Sequence, residues 1–369
     1  MTLLEVDSGY LLSMLLELLE IPSPSGYTDS IVHRVGEELT RLKIDFELTR
    51  RGAIRANLAG EQNSPDRAVV AHLDTLGAMV SALKPNGRLA VYPVGTWSAR
   101  FAEGARVSVL TDGGPRRGTI LPLLSSGHVF GDEIDKQPVA WENVEVRVDE
   151  RVACDRELSE AGYSVGDYVA IDAQPEITEN GFVVSRHLDD KAGVAVLLAA
   201  VKALSTSKVV LPVDCHVLFT ISEEVGSGAS ALLHQDVAEM VIVDNATPAP
   251  GKNSNEYDVH IAMMDGSGPF DYHLSHKLID LASDNAIPVR REVFRYYRSD
   301  AATAVEAGND IRTGLAAFGV DASHGWERTH VAGLLNLARL IALYIRSEPT
   351  FERDKLELGP LKGFPDQPV

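Results

Sequence analysis

Apolar and polar positions change period twice along the chain. Between residues 8 and 42 the spacing is helical. Leu11–Ile21 is apolar, broken by Glu17 and Glu20, and Ile31, Val35, Leu39 and Leu42 fall on one face. Asp7 or Ser8 can cap the first helix and Pro22 ends it, while Thr28-Asp29-Ser30 opens the second. Arg67–His72 then reads as a buried strand that ends in polar residues.

From about Lys84 to Ile177 the period drops to two. Short alternating stretches, Arg106–Leu110 and Val144–Val148 among them, are parted by turn signals at Asp112–Pro115 and Gly131-Asp132. This predicts a small all-β module; Gly127-His128 falls inside it and reads as a surface loop. After Glu179-Asn-Gly181 strands and helices alternate. Ala192–Leu204 is apolar nearly all round and reads as a buried helix. Further strands are expected at Asp214–Ser222, Glu239–Asp244, Tyr257–Met264, Val293–Tyr297 and Leu315–Val320. Helices are expected at Gly226–His234, Tyr272–Ser283 and His330–Arg346.

Such alternation predicts an α/β fold with a doubly wound, mostly parallel sheet. The β module interrupts it, so residues 1–83 and 178–369 are expected to form one catalytic domain and 84–177 an inserted all-β domain. The tail Gly359–Val369, with three prolines and two glycines, is expected to be loose.

Charge narrows the function classes. With 34 Lys+Arg against 53 Asp+Glu the net charge is −19, which disfavours nucleic acid and anionic membrane surfaces as partners. A hydrophobic content of 45% argues against disorder. Two cysteines, Cys154 and Cys215, are too few for a disulfide framework, and no apolar run reaches about 18 residues. A cytoplasmic setting is the expectation.

Open α/β sheets bind ligands at the carboxyl ends of their strands. Those positions carry His72-Leu-Asp74, Glu223-Glu224, Asp244 and Ser323-His324, and the turn ahead of the buried helix carries His187-Leu-Asp189-Asp190-Lys191. Each alone reads as a turn former, a helix cap or a solvated pair. Together they crowd carboxylates at one sheet edge, which repel unless cations sit among them. Imidazole mixed with carboxylate suits zinc, cobalt or manganese. The residues alone leave open which Glu or Asp of each pair faces a metal, and whether His324 or His330 does.

The segments Ala71–Gly77, Leu188–Gly193, Ser222–Gly226, Val241–Asp244 and Asp265–Pro269 follow one another in an order that resembles the glutamyl and deblocking aminopeptidases, metallopeptidase family forty-two. The resemblance covers nearly the whole chain, inserted β module included. It implies two divalent ions per subunit, zinc foremost, with Asp189 bridging them and His72, Glu224, Asp244 and His324 as terminal ligands. It implies Glu223 as the proton carrier and Asp74 as the partner of the far nitrogen of His72. It also implies a short peptide or small amide as substrate and a homo-oligomer, a dimer-based dodecamer joined through the β module.

The chain departs from the family pattern near its C-terminus. Tyr297-Arg298-Ser299-Asp300 stands where Gly-Gly-Thr-Asp is usual, and Ala322-Ser323-His324-Gly325 where an aromatic and a hydrophobic residue precede His-Ser. Those departures keep a specialised amidase or deacylase acting on a small acylated dipeptide in view, with Arg298 as a possible contact to substrate. A non-catalytic assembly or binding protein is the rival from another class, and glucanase activity, described for some relatives, leaves the two histidines without a purpose.

Overall fold

The computed structural model describes residues 3–207, 209–234 and 236–368. Two helices open the chain, α1 (Ser8–Leu19) and α2 (Asp29–Leu42). Asp7 caps α1 through the N–H of Tyr10, and the apolar faces of both helices are buried. Strands β1 (Asp45–Leu48), β2 (Ile54–Leu58) and β3 (Gly60–His72) follow.

The chain then leaves the sheet. β4 (Gly77–Leu83), β5 (Leu89–Val94), β6 (Arg106–Thr111), β7 (Gly114–Pro122), β8 (Val144–Val148) and β9 (Tyr168–Ile171) close into a barrel in the order β4-β5-β8-β7-β6-β9. The barrel has its own core, including Val80, Val91, Val107, Ile120, Val146 and Val169, because inward positions alternate along each strand. Its first strand begins at Gly77, ahead of residue 84. Two short helices, α3 (Gly127–Phe130) and α4 (Asp155–Glu160), hang on it, so the module is not purely β, and His128 stands on exposed α3.

The sheet domain resumes with β10 (Glu176–Ile177), β11 (Phe182–Ser185), α5 (Leu188–Ser207), β12 (Leu211–Thr220), β13 (Val237–Ala246), β14 (Val259–Asp265) and β15 (Gly268–Pro269). Then come α6 (Tyr272–Asp284), β16 (Val289–Val293), α7 (Asp300–Glu306), β17 (Arg312–Gly319), β18 (Glu327–His330) and α8 (Val331–Ile345). The large sheet runs β1-β2-β12-β3-β13-β17-β14-β15, with β16 on β14. Its centre, β12-β3-β13-β17, is parallel, whereas β2 on β12 and β14 on β17 are antiparallel. The sheet is therefore mixed around a parallel centre. α5 is buried along nearly its whole length and packs with α1 and α8 over the sheet.

Two expected elements differ. Residues 226–234 hold only a 3-10 turn, Ala229–Ala231, because Asp300 takes the N–H of Ala229 at 2.7 Å and the segment packs as a connection under α7. The strand expected at Val293–Tyr297 lies earlier, at Val289–Val293, where it pairs with β14. The tail from Gly359 to Pro368 carries no helix or strand, and Val369 lies outside the described residues. Among the described residues no helix is long and apolar enough to cross a membrane.

Candidate metal centre

The four parallel strands deliver the chemistry. His72 ends β3, Glu223 and Glu224 follow β12, Asp244 lies near the end of β13, and His324 follows β17. Asp189 comes from the entry to α5, where it (φ −76°, ψ 106°) and Asp190 (φ −117°, ψ 25°) are not yet helical and are joined by a cis peptide. That irregular entry turns the Asp189 carboxylate toward the strand ends. Asp190 packs beneath, accepting the main-chain N–H of His72 at 3.0 Å. A Cβ on Gly193 would meet Asp190 Oδ1 at 2.1 Å, so glycine is required there for this approach.

Asp189 is the centre of the cluster. His72 Nε2 lies 3.1 Å from its Oδ1, and His324 Nε2 lies 3.3 Å from its Oδ2 and 3.5 Å from Glu224 Oε2. The donor atoms of His72, Asp189 and Glu224 all fall within 4.8 Å of one another. Glu223 Oε2 stands 3.9 Å from His72 Nε2. Asp189, Glu223, Glu224, Asp244 and His324 line one cavity of about 620 Å³, joined by Gly95 and Thr96 from the barrel and by Tyr296–Ser299. The structure thus brings together all seven residues singled out from the sequence, with Asp74 behind the others.

Asp74 meets the far nitrogen of His72 through its main chain rather than its carboxylate. The ring nitrogen Nδ1 of His72 faces the main-chain carbonyl of Asp74 at 2.9 Å, while the carboxylate is 3.7 Å away. The carboxylate instead accepts the N–H groups of Glu223 (3.0 Å) and Glu224 (3.3 Å) and the hydroxyl of Ser25 (2.5 Å). Its buried, acceptor-only oxygens are better matched by two orphan amides and a hydroxyl than by one ring N–H that a carbonyl already satisfies.

His330 is not in the cluster. It caps α8, its Nδ1 accepting the N–H of Ala332 at 3.0 Å, and its Nε2 faces the carbonyl of Asn180 at 2.9 Å. His324 is held at φ 65° by Glu327, which accepts its N–H at 2.9 Å, and by the carbonyl of Thr96, 2.9 Å from its Nδ1. Arg298 is half exposed at the cavity rim and pairs with Glu306 at 2.5 Å.

Several neighbours had not been singled out. Asn245 Nδ2 and Ser323 Oγ donate to Asp189 Oδ2 at 2.7 and 3.2 Å. Glu327 accepts the N–H of Asp189 at 3.1 Å. Tyr297 also lines the cavity. Asn245 adjoins a marked residue, Ser323 stood in the quoted Ser323-His324 pair and Tyr297 opens the departure from the family pattern, so each had a usable signal; Glu327 carried none.

The donor set fits cations. Burial, reinforced by the charge of Asp189, pushes Glu224 up to about 8 and Asp244 up to about 7. Burial also raises Glu223 well above the usual carboxylate range, although His72 opposes it. Burial disfavours protonated His72 and His324, yet their contacts with Asp189 overcome it and raise both, His324 to about 10. Asp189 is held low despite its burial by those two imidazoles. So much negative charge in one dry place needs protons or divalent ions to neutralise it, and imidazole with carboxylate is the donor mixture of zinc, cobalt and manganese.

A second group, Asp66, His216 and Asp236, gathers at the opposite end of the sheet. There Arg55 pairs with Asp236 at 3.1 Å, so a positive charge is already supplied by a side chain, and His216 Nε2 meets Asp66 at 3.1 Å.

Comparison with known proteins identifies a family. The family model described as M42 glutamyl aminopeptidase matches residues 52–340. The Bacillus subtilis (strain 168) protein YhfE, which carries an aminopeptidase name, is 38% identical over 337 residues, spanning 91% of this chain and 97% of its own. Among solved structures, the aminopeptidase APDkam598 of Desulfurococcus kamchatkensis superposes with a TM-score of 0.84 at 23% identity, covering 93% of this chain and 96% of its own. The Pyrococcus horikoshii TET1 peptidase, described as able to assemble into a tetrahedron or a large octahedral shell, gives 0.81 at 23% identity over 91% and 99%.

Proposed function

The chain belongs to the M42 glutamyl aminopeptidase family, and from that premise we propose that it is an aminopeptidase that hydrolyses the N-terminal amide of short peptides with a pair of divalent ions held across Asp189. Membership makes it a peptidase hydrolase. The reading of the pair rests on one observation: two imidazole Nε2 atoms face the two oxygens of a single buried carboxylate.

Asp189 would be the shared ligand, and His72, Glu224, Asp244 and His324 would be the terminal ones. Zinc suits this set foremost, with cobalt or manganese as alternatives. When bound, such a pair polarises the amide carbonyl and brings the pKa of a water toward neutrality. Glu223 accepts the proton of the attacking water and delivers it to the leaving amine nitrogen. Asp74 fixes the Glu223-Glu224 backbone, so base and ligand keep a constant spacing from His72. The Asp74 carbonyl orients the His72 ring, leaving Nε2 as the free donor.

The same reading divides the chain into a catalytic unit of residues 1–83 and 178–369 and an inserted unit of 84–177. The closed barrel Gly77–Ile171, with its separate core, supports that division. We also propose a cytoplasmic homo-oligomer, a dimer-based dodecamer with contacts through the barrel, in line with the assemblies described for the TET1 peptidase.

The test is a metal-reconstituted screen over aminoacyl anilides with neutral, basic, acidic and acetylated N-termini. Release of amine from free-amine substrates is expected. Cleavage confined to acetylated substrates would replace this reading by the amidase one. Light scattering checks the assembly; a mass of 39.9 kDa, that of a single chain, would overturn it.

A further inference from the structure

Tyr297 is placed as a wall of the same cavity that holds Asp189, Glu223 and Asp244. Its position is fixed twice. Its main-chain carbonyl accepts the N–H of Gly266 at 2.7 Å, and its ring packs edge-on against Phe294 with centroids 5.2 Å apart. The first anchors the backbone, and the ring cannot swing away without losing its contact with Phe294.

The hydroxyl is buried and has no partner in hydrogen-bond geometry. Asp244 is the carboxylate it lies against, at a separation the two could close into a hydrogen bond. Three other side-chain donors around the cavity are engaged. Arg298 is on Glu306, Thr303 Oγ1 on the carbonyl of Asp300, and His324 Nε2 on Asp189. Among the described residues lining the cavity, Tyr297 is the one whose buried donor lacks an acceptor. A buried hydroxyl left so is costly and calls for an explanation. Here it stands beside Asp244, in the wall of the cavity that also holds Glu223.

We propose that Tyr297 is a catalytic residue whose hydroxyl donates a hydrogen bond to the oxygen of the scissile carbonyl as that oxygen takes up negative charge. A phenol among carboxylates is a neutral donor, aimed in advance and needing no reorganisation, the arrangement that stabilises developing charge most. It keeps its proton throughout. The water's proton goes to Glu223 and then to the leaving nitrogen, the carbon–nitrogen bond breaks, and the oxygen returns to a carbonyl. This role rests on the aminopeptidase reading of the site.

Tyr297→Phe, reconstituted with the same ion as the native protein, tests it. Expected are a fall in kcat of about 10²–10³-fold with little change in KM, and unchanged divalent content by elemental analysis. Calorimetry should show a comparable loss of affinity for a phosphinic dipeptide isostere, whose tetrahedral oxygen stands in for the charged one. Affinity for a simple aliphatic amine, which has no such oxygen, should stay the same. Unchanged kcat and unchanged phosphinate affinity would overturn the role. So would loss of bound ion, which would make the hydroxyl a support of Asp244. A native enzyme that neither cleaves aminoacyl amides nor binds the phosphinate overturns the aminopeptidase reading instead, so the two failures are read apart.

Discussion

The carboxylate of Asp74 accepts the main-chain N–H of Glu223 at 3.0 Å, across 149 positions of sequence. One side chain thereby sets the position of the segment that carries both the proposed base and a proposed ligand, while its own main-chain carbonyl orients His72. Asp74→Asn keeps one acceptor oxygen and leaves that carbonyl untouched. Turnover should fall about 10–100-fold, as for other partners that orient a metal site, while His72 keeps its orientation. Asp74→Ala strands two amides and should cost about 1–3 kcal/mol for each one left buried and unpaired. Melting temperature and turnover, measured on both variants, check this; an alanine variant as stable as the asparagine one would refute the bridge.

Glu223→Gln preserves volume and removes only the basic oxygen. Turnover of aminoacyl anilides should drop about 10²–10⁴-fold, with divalent content unchanged because the other donors remain. Wild-type rates in a metal-loaded variant would remove Glu223 from the mechanism.

The two C-terminal histidines should separate cleanly. His324→Ala removes an imidazole from beside Asp189 and Glu224, so bound ion and activity should both be lost. His330→Ala removes the cap of α8 and should cost about 1 kcal/mol of stability, as lost caps do, with activity intact in the protein that remains folded. Elemental analysis beside thermal melts distinguishes them, and an inactive, metal-poor His330→Ala protein would reverse the assignment.

Metal binding should tighten as pH rises through neutrality. Glu224, raised to about 8, and Asp244, raised to about 7, hold protons below those values and must release them to ligate. His72 and His324 are raised as well and must also deprotonate, so they act in the same direction. In the metal-free protein a raised folded-state pKa contributes stability that is full below the unfolded value and is lost as pH rises through the folded one. Added ion restores what those groups lose. The gain in melting temperature on adding zinc should therefore be larger at about pH 8.5 than at about pH 6. Equal gains at both would contradict the crowded-carboxylate account of the site.

How much of this was legible in the sequence can be followed residue by residue. Helical and strand periods placed α5, β13, β14, β17 and α8, because each buries a continuous face and burial leaves a periodic trace. The period failed at residues 226–234, where Asp300 and α7 decide the conformation from far along the chain. Strand ends pointed to His72, Glu223, Glu224, Asp244 and His324, since a parallel sheet presents those ends along one edge, and the turn ahead of α5 pointed to Asp189.

The sequence by itself thus determined most of the order of elements, the residue types at the strand ends and the interruption of the large sheet by a run of short strands. Tertiary structure alone decided that Asp74 serves Glu223 and Glu224 with its carboxylate, and that His330 caps a helix while His324 reaches Asp189. It alone placed Asn245, Ser323, Glu327 and Tyr297 in the same site. The physical reason is range. Burial periodicity is written locally in each segment, whereas the choice of a hydrogen-bond partner depends on which donors and acceptors the packed fold leaves facing one another across a hundred or more positions.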